Sequence, residues 1–205
     1  MKKILLLPLL SIVVLTLGGC FAGKSGPRYR YLFNIPQAAQ GVRDFRYGLI
    51  EVRHTKAVPQ FASNEFLYRL NSVRYLPDYY HIFLVPVTSQ ITQITEAYLS
   101  NKGYGLYVSD VSDDAKKHPS YVLSSVLEKL YADYRNSAKP QAVVSIRYML
   151  VDVREPKKRF MMNKVYTESV PLSTKTASAL FDAWQTGIYR IMYRLNRRLN
   201  GILSD

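Results

Sequence analysis

Apolar and polar residues alternate with a period of two over much of the chain, which is the pattern of strands with one buried face. Two short runs of this kind meet at Asn71, so a hairpin or a kinked ribbon is expected there. Two long β-rich runs flank a charged segment, 154–159, that predicts a hairpin tip. Strands are predicted at 28–33, 47–53, 65–70, 72–76, 106–108, 142–153 and 160–170.

Two segments repeat their apolar residues at spacings of three and four, which predicts amphipathic helices. The first runs from Tyr80 to Leu99, with Asp78 as its candidate cap and Gly103 just beyond its end. The second runs from Thr176 to Leu203. It also carries four arginines, which we interpret as complements to the helix dipole, with a lipid-binding strip as the alternative. These arginines are Arg190, Arg194, Arg197 and Arg198.

The segment from Tyr121 to Tyr134 fits both periods. Val122, Val126 and Leu130 recur at helical spacing, whereas Leu123 and Leu127 also belong to an alternating series. A short apolar run of this kind cannot be assigned from periodicity alone. Helix and strand therefore both remain open for this segment.

The N-terminus has the pattern of an export signal. Lys2 and Lys3 precede the apolar run Ile4 to Leu17, which is too short to span a bilayer core of about 30 Å as a helix. The sequence Leu-Gly-Gly-Cys at 17–20 is similar to a lipobox, and Cys20 is the only cysteine; a plain secretory signal is the alternative. The predicted parts are a signal peptide (1–19), a lipidated cysteine with a flexible tether (20–27) and a periplasmic domain (28–205).

Lipidation of Cys20 predicts a location on the periplasmic face of the outer membrane. Several acyl chains make a stable anchor, and Phe21, unlike Asp, is no inner-membrane retention signal. Without Lys2 and Lys3, 26 Lys and Arg face 15 Asp and Glu, a net charge of +11. Because export removes nucleic acid as a partner, phospholipid headgroups, lipopolysaccharide phosphates and acidic proteins are the expected acidic surfaces. A charge that serves only solubility is the alternative.

Motifs for catalysis and metal binding are not evident in the sequence. His54, His81 and His118 have no metal-ligand spacing and form no set with a nucleophile. Nucleophile-elbow, P-loop and dinucleotide motifs do not occur. We therefore expect no enzymatic activity, no metal and no cofactor other than the diacylglyceryl and N-acyl groups on Cys20. The seventeen tyrosines suit cross-strand packing and a protein- or lipid-facing surface equally well.

Two stretches carry a resemblance to a known family. The first is the strand Phe66-Leu67-Tyr68-Arg69. The second runs from Asp78-Tyr79-Tyr80 through Phe83-Leu84-Val85-Pro86, and it is followed by a predicted helix ending at Leu99 and by Gly103. Together with the lipobox, the later β-rich segment and the terminal helix, they resemble the ABC-type transport auxiliary lipoproteins, the family of the paraquat-inducible C-type lipoprotein. The resemblance covers nearly the whole mature chain, and its motifs are structural rather than catalytic.

The resemblance implies a fold and a role. The fold is α/β (α+β): a single domain whose mixed, mostly antiparallel sheet is backed by two amphipathic helices. On this basis 121–134 becomes a strand that pairs with 142–153. The implied role is that of an outer-membrane-anchored partner of a periplasmic MCE-domain protein and its ABC transporter, in the movement of phospholipids between the two membranes.

The mechanism implied by the family is docking, without catalytic residues. We select Tyr68, Arg69, Tyr79 and Tyr80 as the candidate partner-binding residues, and homo-oligomerisation stays open. One alternative is an assembly or activator lipoprotein for an outer-membrane barrel, such as the lipopolysaccharide translocon, or for a peptidoglycan synthase. A lipid-anchored hydrolase is the other, and it would require a deep polar pocket with a nucleophile and a base.

Overall fold

The computed structural model describes residues 26–37, 48–107, 118–156 and 159–204. The predicted signal peptide, Cys20 and most of the tether lie outside the described residues. Within those ranges, one mixed sheet of eight strands carries two α-helices on one face. The predicted fold class, a single α+β domain with a mostly antiparallel sheet and two helices, is confirmed.

The sheet has the strand order β1-β5-β4-β6-β7-β8, and β2 and β3 pair with β6 beside this path. The β4/β5, β6/β7 and β7/β8 pairs are antiparallel, whereas β1/β5, β4/β6 and the two short pairs with β6 are parallel. A 3-10 turn at Pro59–Phe61 follows β3. The strands are β1 Tyr29–Tyr31, β2 Ile50–Val52, β3 Lys56–Ala57, β4 Glu65–Arg69, β5 Tyr75–Phe83, β6 Tyr121–Asp133, β7 Gln141–Asp152 and β8 Arg159–Pro171; the helices are α1 Val87–Asn101 and α2 Ala177–Leu203.

Strands β6, β7 and β8 form a long antiparallel ribbon. The undecided segment 121–134 is strand β6, which pairs with β7 from Tyr121 opposite Asp152 to Asp133 opposite Gln141. Alternate residues of β7 point towards the helices and are fully buried, as expected for a sheet with one covered face. These residues are Ala142, Val144, Ile146, Tyr148 and Leu150.

Helix α2 closes the core with the apolar stripe that the sequence predicts. Thr176 caps the helix, because its hydroxyl accepts a hydrogen bond from the Ala179 amide at 3.2 Å. Gly187 lets the helix approach β7 closely, since a Cβ there would lie 2.7 Å from Val144 Cγ1. The fully buried members of the stripe are Leu180, Trp184, Ile188, Ile191, Leu195 and Leu199.

The first helix begins later than predicted. Tyr80 to Phe83 belong to strand β5, and helix α1 starts at Val87, directly after Pro86. Proline lacks an amide hydrogen and disrupts a helix interior, so a helix through Pro86 would be broken. The assignment of Asp78 as a helix cap was therefore wrong. The predicted C-terminus is confirmed, because α1 ends at Asn101 and Gly103 has φ +82°.

Two smaller predictions also change. The last turn of α2 contains no basic residue, so the four arginines lie too early in the helix to complement its terminal dipole. Arg194 instead pairs with Glu168 at 2.6 Å. In place of a strand at 106–108 there is one isolated bridge between Ile50 and Leu106, while Val108 lies outside the described residues.

Candidate docking surface on the β4–β5 hairpin

The four predicted partner-binding residues lie on one hairpin. Tyr68 and Arg69 belong to β4, whereas Tyr79 and Tyr80 belong to β5. The predicted hairpin around Asn71 is confirmed. The side-chain oxygen of Asn71 accepts hydrogen bonds from the amides of Val73 and Arg74, at 3.0 and 2.7 Å. The hairpin brings the four residues to one part of the sheet, but it gives them three different surroundings.

Strand β5 bulges outward opposite β4. The adjacent β4 residues Glu65 and Phe66 pair with Ile82 and Asp78, so three residues of β5, Tyr79–His81, have no β4 partner. Such a bulge bends the strand and redirects its side chains. Consequently Tyr79 and Tyr80 project into solvent with 47% and 46% of their surface exposed.

The Asp78 carboxylate holds this bulge in place. Oδ1 accepts hydrogen bonds from the Tyr80 and His81 amides at 2.9 and 3.2 Å. Oδ2 accepts from the Tyr68 hydroxyl at 2.9 Å and lies 2.7 Å from His81 Nδ1. Tyr68 is thus a half-buried residue that positions Asp78, rather than a free docking side chain.

The pKa values of this cluster follow from its contacts. Burial raises the pKa of the Asp78 carboxyl, but hydrogen bonds from His81, Tyr68 and the Tyr80 amide outweigh burial and lower the pKa overall. Burial, and then the bond to Asp78, raises the pKa of the Tyr68 phenol. At neutral pH the cluster therefore contains an ionised Asp78 and a protonated Tyr68.

The imidazole of His81 is enclosed by aromatic rings. Tyr29 stacks on it with ring centroids 5.4 Å apart, and Tyr31 and Phe66 lie at 5.9 and 6.2 Å. The contacts of His81 therefore account for a structural role. Among the described residues, no group of three His, Cys, Asp or Glu side chains is arranged to hold a metal ion.

Several exposed apolar side chains belong to the strands at this end of the sheet or directly follow them, and we call them together the edge surface. Each is 46–55% exposed, although large apolar side chains are usually buried. β1 is the outermost strand of the sheet, so no strand in the described ranges pairs with its outer side. The edge surface consists of Tyr29 and Leu32 near β1, Leu76, Tyr79 and Tyr80 on β5, and Leu84 just after it.

The described chain begins beside the edge surface. The Arg28 guanidinium lies 3.8 Å from the centre of the Tyr79 ring, which is a cation–π contact. A Cβ on Gly26 would come within 3.3 Å of Tyr80 Cε1, so this backbone packs against Tyr80. The first described residues, from Gly26 to Arg28, therefore lie against this surface.

Arg69 belongs to a different surface. Successive side chains of a strand point to opposite faces, so Arg69 leaves the sheet on the face opposite Tyr68. There it lines an aromatic pocket of about 630 Å³, formed by β4, β5, β6 and the 3-10 turn. The predicted set thus divides into exposed Tyr79 and Tyr80, internal Tyr68, and Arg69 at the pocket. The candidate set selected from the sequence does not include Leu67, Tyr75 and Tyr131, which line the same pocket.

Comparisons with known proteins establish the fold only. No protein-family model and no curated protein matches the sequence. The crystal structure of protein XCC0632 from Xanthomonas campestris, which carries the family designation DUF330, is similar with a TM-score of 0.68 and 13% identity over 86% of this chain and 96% of that one. The crystal structure of an uncharacterized protein gives a TM-score of 0.65 and 12% identity, over 85% and 99% of the two chains.

A weaker likeness connects the chain with lipoprotein GNA1162 from Neisseria meningitidis, at a TM-score of 0.37 and 14% identity over 70% of this chain and 97% of that one. The first two structures have the same mixed α+β architecture as this chain.

Neither α1 nor α2 is long and apolar enough to cross a membrane, and these are the α-helices of the described ranges.

Proposed function

We propose that this chain is an outer-membrane-anchored periplasmic lipoprotein that acts as the docking component of an MCE-type ABC transport system for phospholipids. The observation that carries the proposal is the edge surface, an exposed aromatic and apolar cluster at the point where the lipid tether would begin. No catalytic step is required of the protein. Its task is to bind a partner at the membrane.

The chemistry of the edge surface suits a protein partner. Tyrosine and arginine are enriched in the centres of protein interfaces, where a few anchors supply most of the binding energy. Tyr79 and Tyr80 offer such anchors, and Arg28 is already stacked on Tyr79. The hydrogen bonds of Asp78 fix the bulge before binding, so less conformational entropy is lost when a partner docks.

The length of the tether fits docking close to a membrane. Six peptide steps separate Cys20 from Gly26, and each spans at most about 3.3–3.6 Å, which gives a reach of about 20 Å. An acylated Cys20 would therefore keep the edge surface near the lipid headgroups. A periplasmic conduit that extends to the outer membrane would meet the protein at this level.

Photo-crosslinking in intact cells tests the proposal. A photoreactive phenylalanine analogue in place of Tyr80 reports on the edge surface, and the same analogue in place of Tyr193, exposed on the outer side of α2, is the matched control. We expect position 80, and not position 193, to capture an MCE-domain protein. Capture only of a β-barrel or a cell-wall synthase at position 80 would favour an assembly factor and reject the proposal.

A further inference from the structure

The aromatic pocket is a separate feature of the hairpin. It lies on the sheet face opposite Tyr68, and its volume of about 630 Å³ is in the range of ligand-binding pockets. Its lining combines apolar side chains with a small number of charged ones, as ligand sites do. The lining residues are Val58 just before the 3-10 turn, Gln60 and Phe61 in the turn, Leu67 and Arg69 from β4, Tyr75 from β5, and Glu128, Lys129 and Tyr131 from β6.

Three aromatic rings from three elements form the pocket wall. Tyr75 and Tyr131 meet edge to face with centroids 5.6 Å apart. Phe61 stacks on Tyr131 at 6.0 Å and meets the edge of Tyr75 at 6.4 Å. Aromatic pairs at these distances stabilise one another. The wall is therefore formed by the fold itself, before any ligand binds.

The cation in the wall forms no ion pair among the described residues, although its charge interacts with that of the neighbouring Asp133. The Arg69 guanidinium lies 5.5 and 5.7 Å from the centres of the Tyr75 and Tyr131 rings. Its three hydrogen-bond acceptors are neutral: the main-chain carbonyls of Asn71 and Ser72, at 3.2 and 3.1 Å, and Tyr131 Oη at 3.4 Å. No carboxylate of the described residues forms an ion pair with it. Arg69 is thus held in position while its charge stays available.

The other charged groups leave the pocket positive. Lys129 is exposed at the pocket, with no ion pair inside the described part of the chain. Glu128, the single carboxylate of the lining, already accepts from Arg147 at 2.7 Å. Asp133, near the end of β6, is likewise paired with Arg135 at 2.6 Å. Charge complementarity therefore favours an anionic group at Arg69 and Lys129.

We propose that this pocket binds one acyl chain of an anionic phospholipid. The phosphate lies against Arg69 and Lys129, and the chain packs against Phe61, Tyr75 and Tyr131. A small phosphate compound would leave the apolar wall uncovered, and a neutral apolar ligand would leave the two cations unused. The inference rests on the proposed function, because it assumes that the protein comes into contact with phospholipids. It adds that the bound phospholipid carries a negative charge.

Direct binding tests the class of ligand. The full mature chain with Cys20→Ser is titrated calorimetrically with lysophosphatidylglycerol below its micelle concentration. Lysophosphatidylcholine controls for headgroup charge, and glycerol 3-phosphate controls for the headgroup alone. We expect lysophosphatidylglycerol to bind at least tenfold more tightly than lysophosphatidylcholine, and no detectable heat from glycerol 3-phosphate. Equal affinity for the two lipids, or no binding of either, would overturn the proposal.

Matched variants test the site. Arg69→Gln and Tyr75→Ala are each expected to weaken lysophosphatidylglycerol binding about tenfold. Arg74→Gln removes the same charge from the same hairpin but lies outside the pocket lining, so wild-type affinity is expected. Lys129→Gln changes only an exposed side chain and is expected to weaken lysophosphatidylglycerol binding several-fold. This variant therefore tests the site even if Arg69→Gln impairs folding. Unchanged affinity in both Arg69→Gln and Lys129→Gln would place the lipid elsewhere.

The two proposals can fail separately. If lysophosphatidylglycerol does not bind while crosslinking from position 80 still captures an MCE-domain protein, the pocket proposal is wrong and docking stands. If the lipid binds in an Arg69-dependent manner while position 80 captures no such protein, the docking proposal is wrong and the pocket stands.

Discussion

The β6–β7–β8 half of the sheet consists of long antiparallel strands covered by helices, whereas the β1–β5–β4 half has shorter strands, a three-residue bulge in β5 and many exposed aromatic residues. The three long strands have 12 or 13 residues each, and β1 has three. Apolar burial concentrates in the first half and apolar exposure in the second. Since burial is the main source of stability, we infer that one half stabilises the fold and the other presents a surface for recognition.

The largest effect is expected from removing the largest fully buried side chain of α2. Trp184 is fully buried, packs edge to face on Phe66 at 5.0 Å and donates its indole hydrogen to the Tyr131 carbonyl. Trp184→Ala should lower the free energy of unfolding by about 3–5 kcal/mol. Denaturant unfolding followed by circular dichroism measures the change. Tyr193→Ala, on the exposed side of the same helix, is the control and should stay within about 0.5 kcal/mol of wild type.

A second prediction concerns the close approach of α2 to β7. In Gly187→Ala the added methyl would lie 2.7 Å from Val144 Cγ1, so the helix or the valine must move. We expect a loss of about 1–3 kcal/mol in unfolding free energy. Gly201→Ala, at an open position of the same helix, is the matched control and should be neutral or stabilising by up to about 1 kcal/mol. Equal effects at both sites would contradict the close approach.

Asp78 is a polar residue of the exposed half, and its hydrogen bonds stabilise the local structure there. In Asp78→Asn one oxygen can still accept from the amides of the bulge, but the amide nitrogen cannot accept from Tyr68. We expect a loss of about 1 kcal/mol in unfolding free energy. The bulge should also loosen, with faster amide hydrogen exchange at Tyr80 and His81. Protected amides in the variant would show that the carboxylate is not needed.

The lowered pKa of Asp78 predicts that the free energy of unfolding depends on pH. The pKa of Asp78 is lower in the folded than in the unfolded chain, so the unfolded state binds the proton more tightly. Its contribution is complete above the unfolded pKa of about 4 and is lost as pH falls through the lower folded pKa. Asp133 and Asp152, whose pKa values are lowered chiefly by hydrogen bonds from Arg135 and Arg154, act in the same direction. Unfolding measured from pH 6 to pH 3 should therefore show a shallower loss in Asp78→Asn than in wild type.

The buried half could largely be predicted from sequence, and its one ambiguity has a physical cause. Helix α2 has one covered face, so its apolar stripe survives in the sequence. In β6, by contrast, the consecutive residues Tyr121, Val122 and Leu123 are all buried. Where both faces of a strand are buried, as at this end of β6, the alternation that identifies a strand is lost. Its pairing with β7, a tertiary contact, decides between strand and helix.

The exposed half was harder to predict, because its structure depends on contacts between distant residues. The bulge at Tyr79–His81 interrupts the alternation of β5, and the helix predicted from Tyr80 onwards therefore includes the end of this strand. Asp78 is fixed in part by Tyr68, ten residues earlier. The pocket takes residues from four elements, and Phe61 and Tyr131 are seventy positions apart in the chain. No local pattern encodes such a site.

The smallest effect on stability is expected at the edge surface. Tyr79 and Tyr80 are about half exposed, and among the described residues they contact each other, Arg28 and the Gly26 backbone. The double variant Tyr79→Ala with Tyr80→Ala should therefore change the unfolding free energy by no more than about 1 kcal/mol. Capture of the MCE-domain protein, with the photoreactive analogue now in place of Tyr29, should nevertheless fall at least tenfold, because truncated interface anchors lose most of their binding energy. If the double variant is strongly destabilised, the edge surface contributes to the stability of the fold. If the double variant still captures the MCE-domain protein at the wild-type level, the docking residues lie outside the bulge.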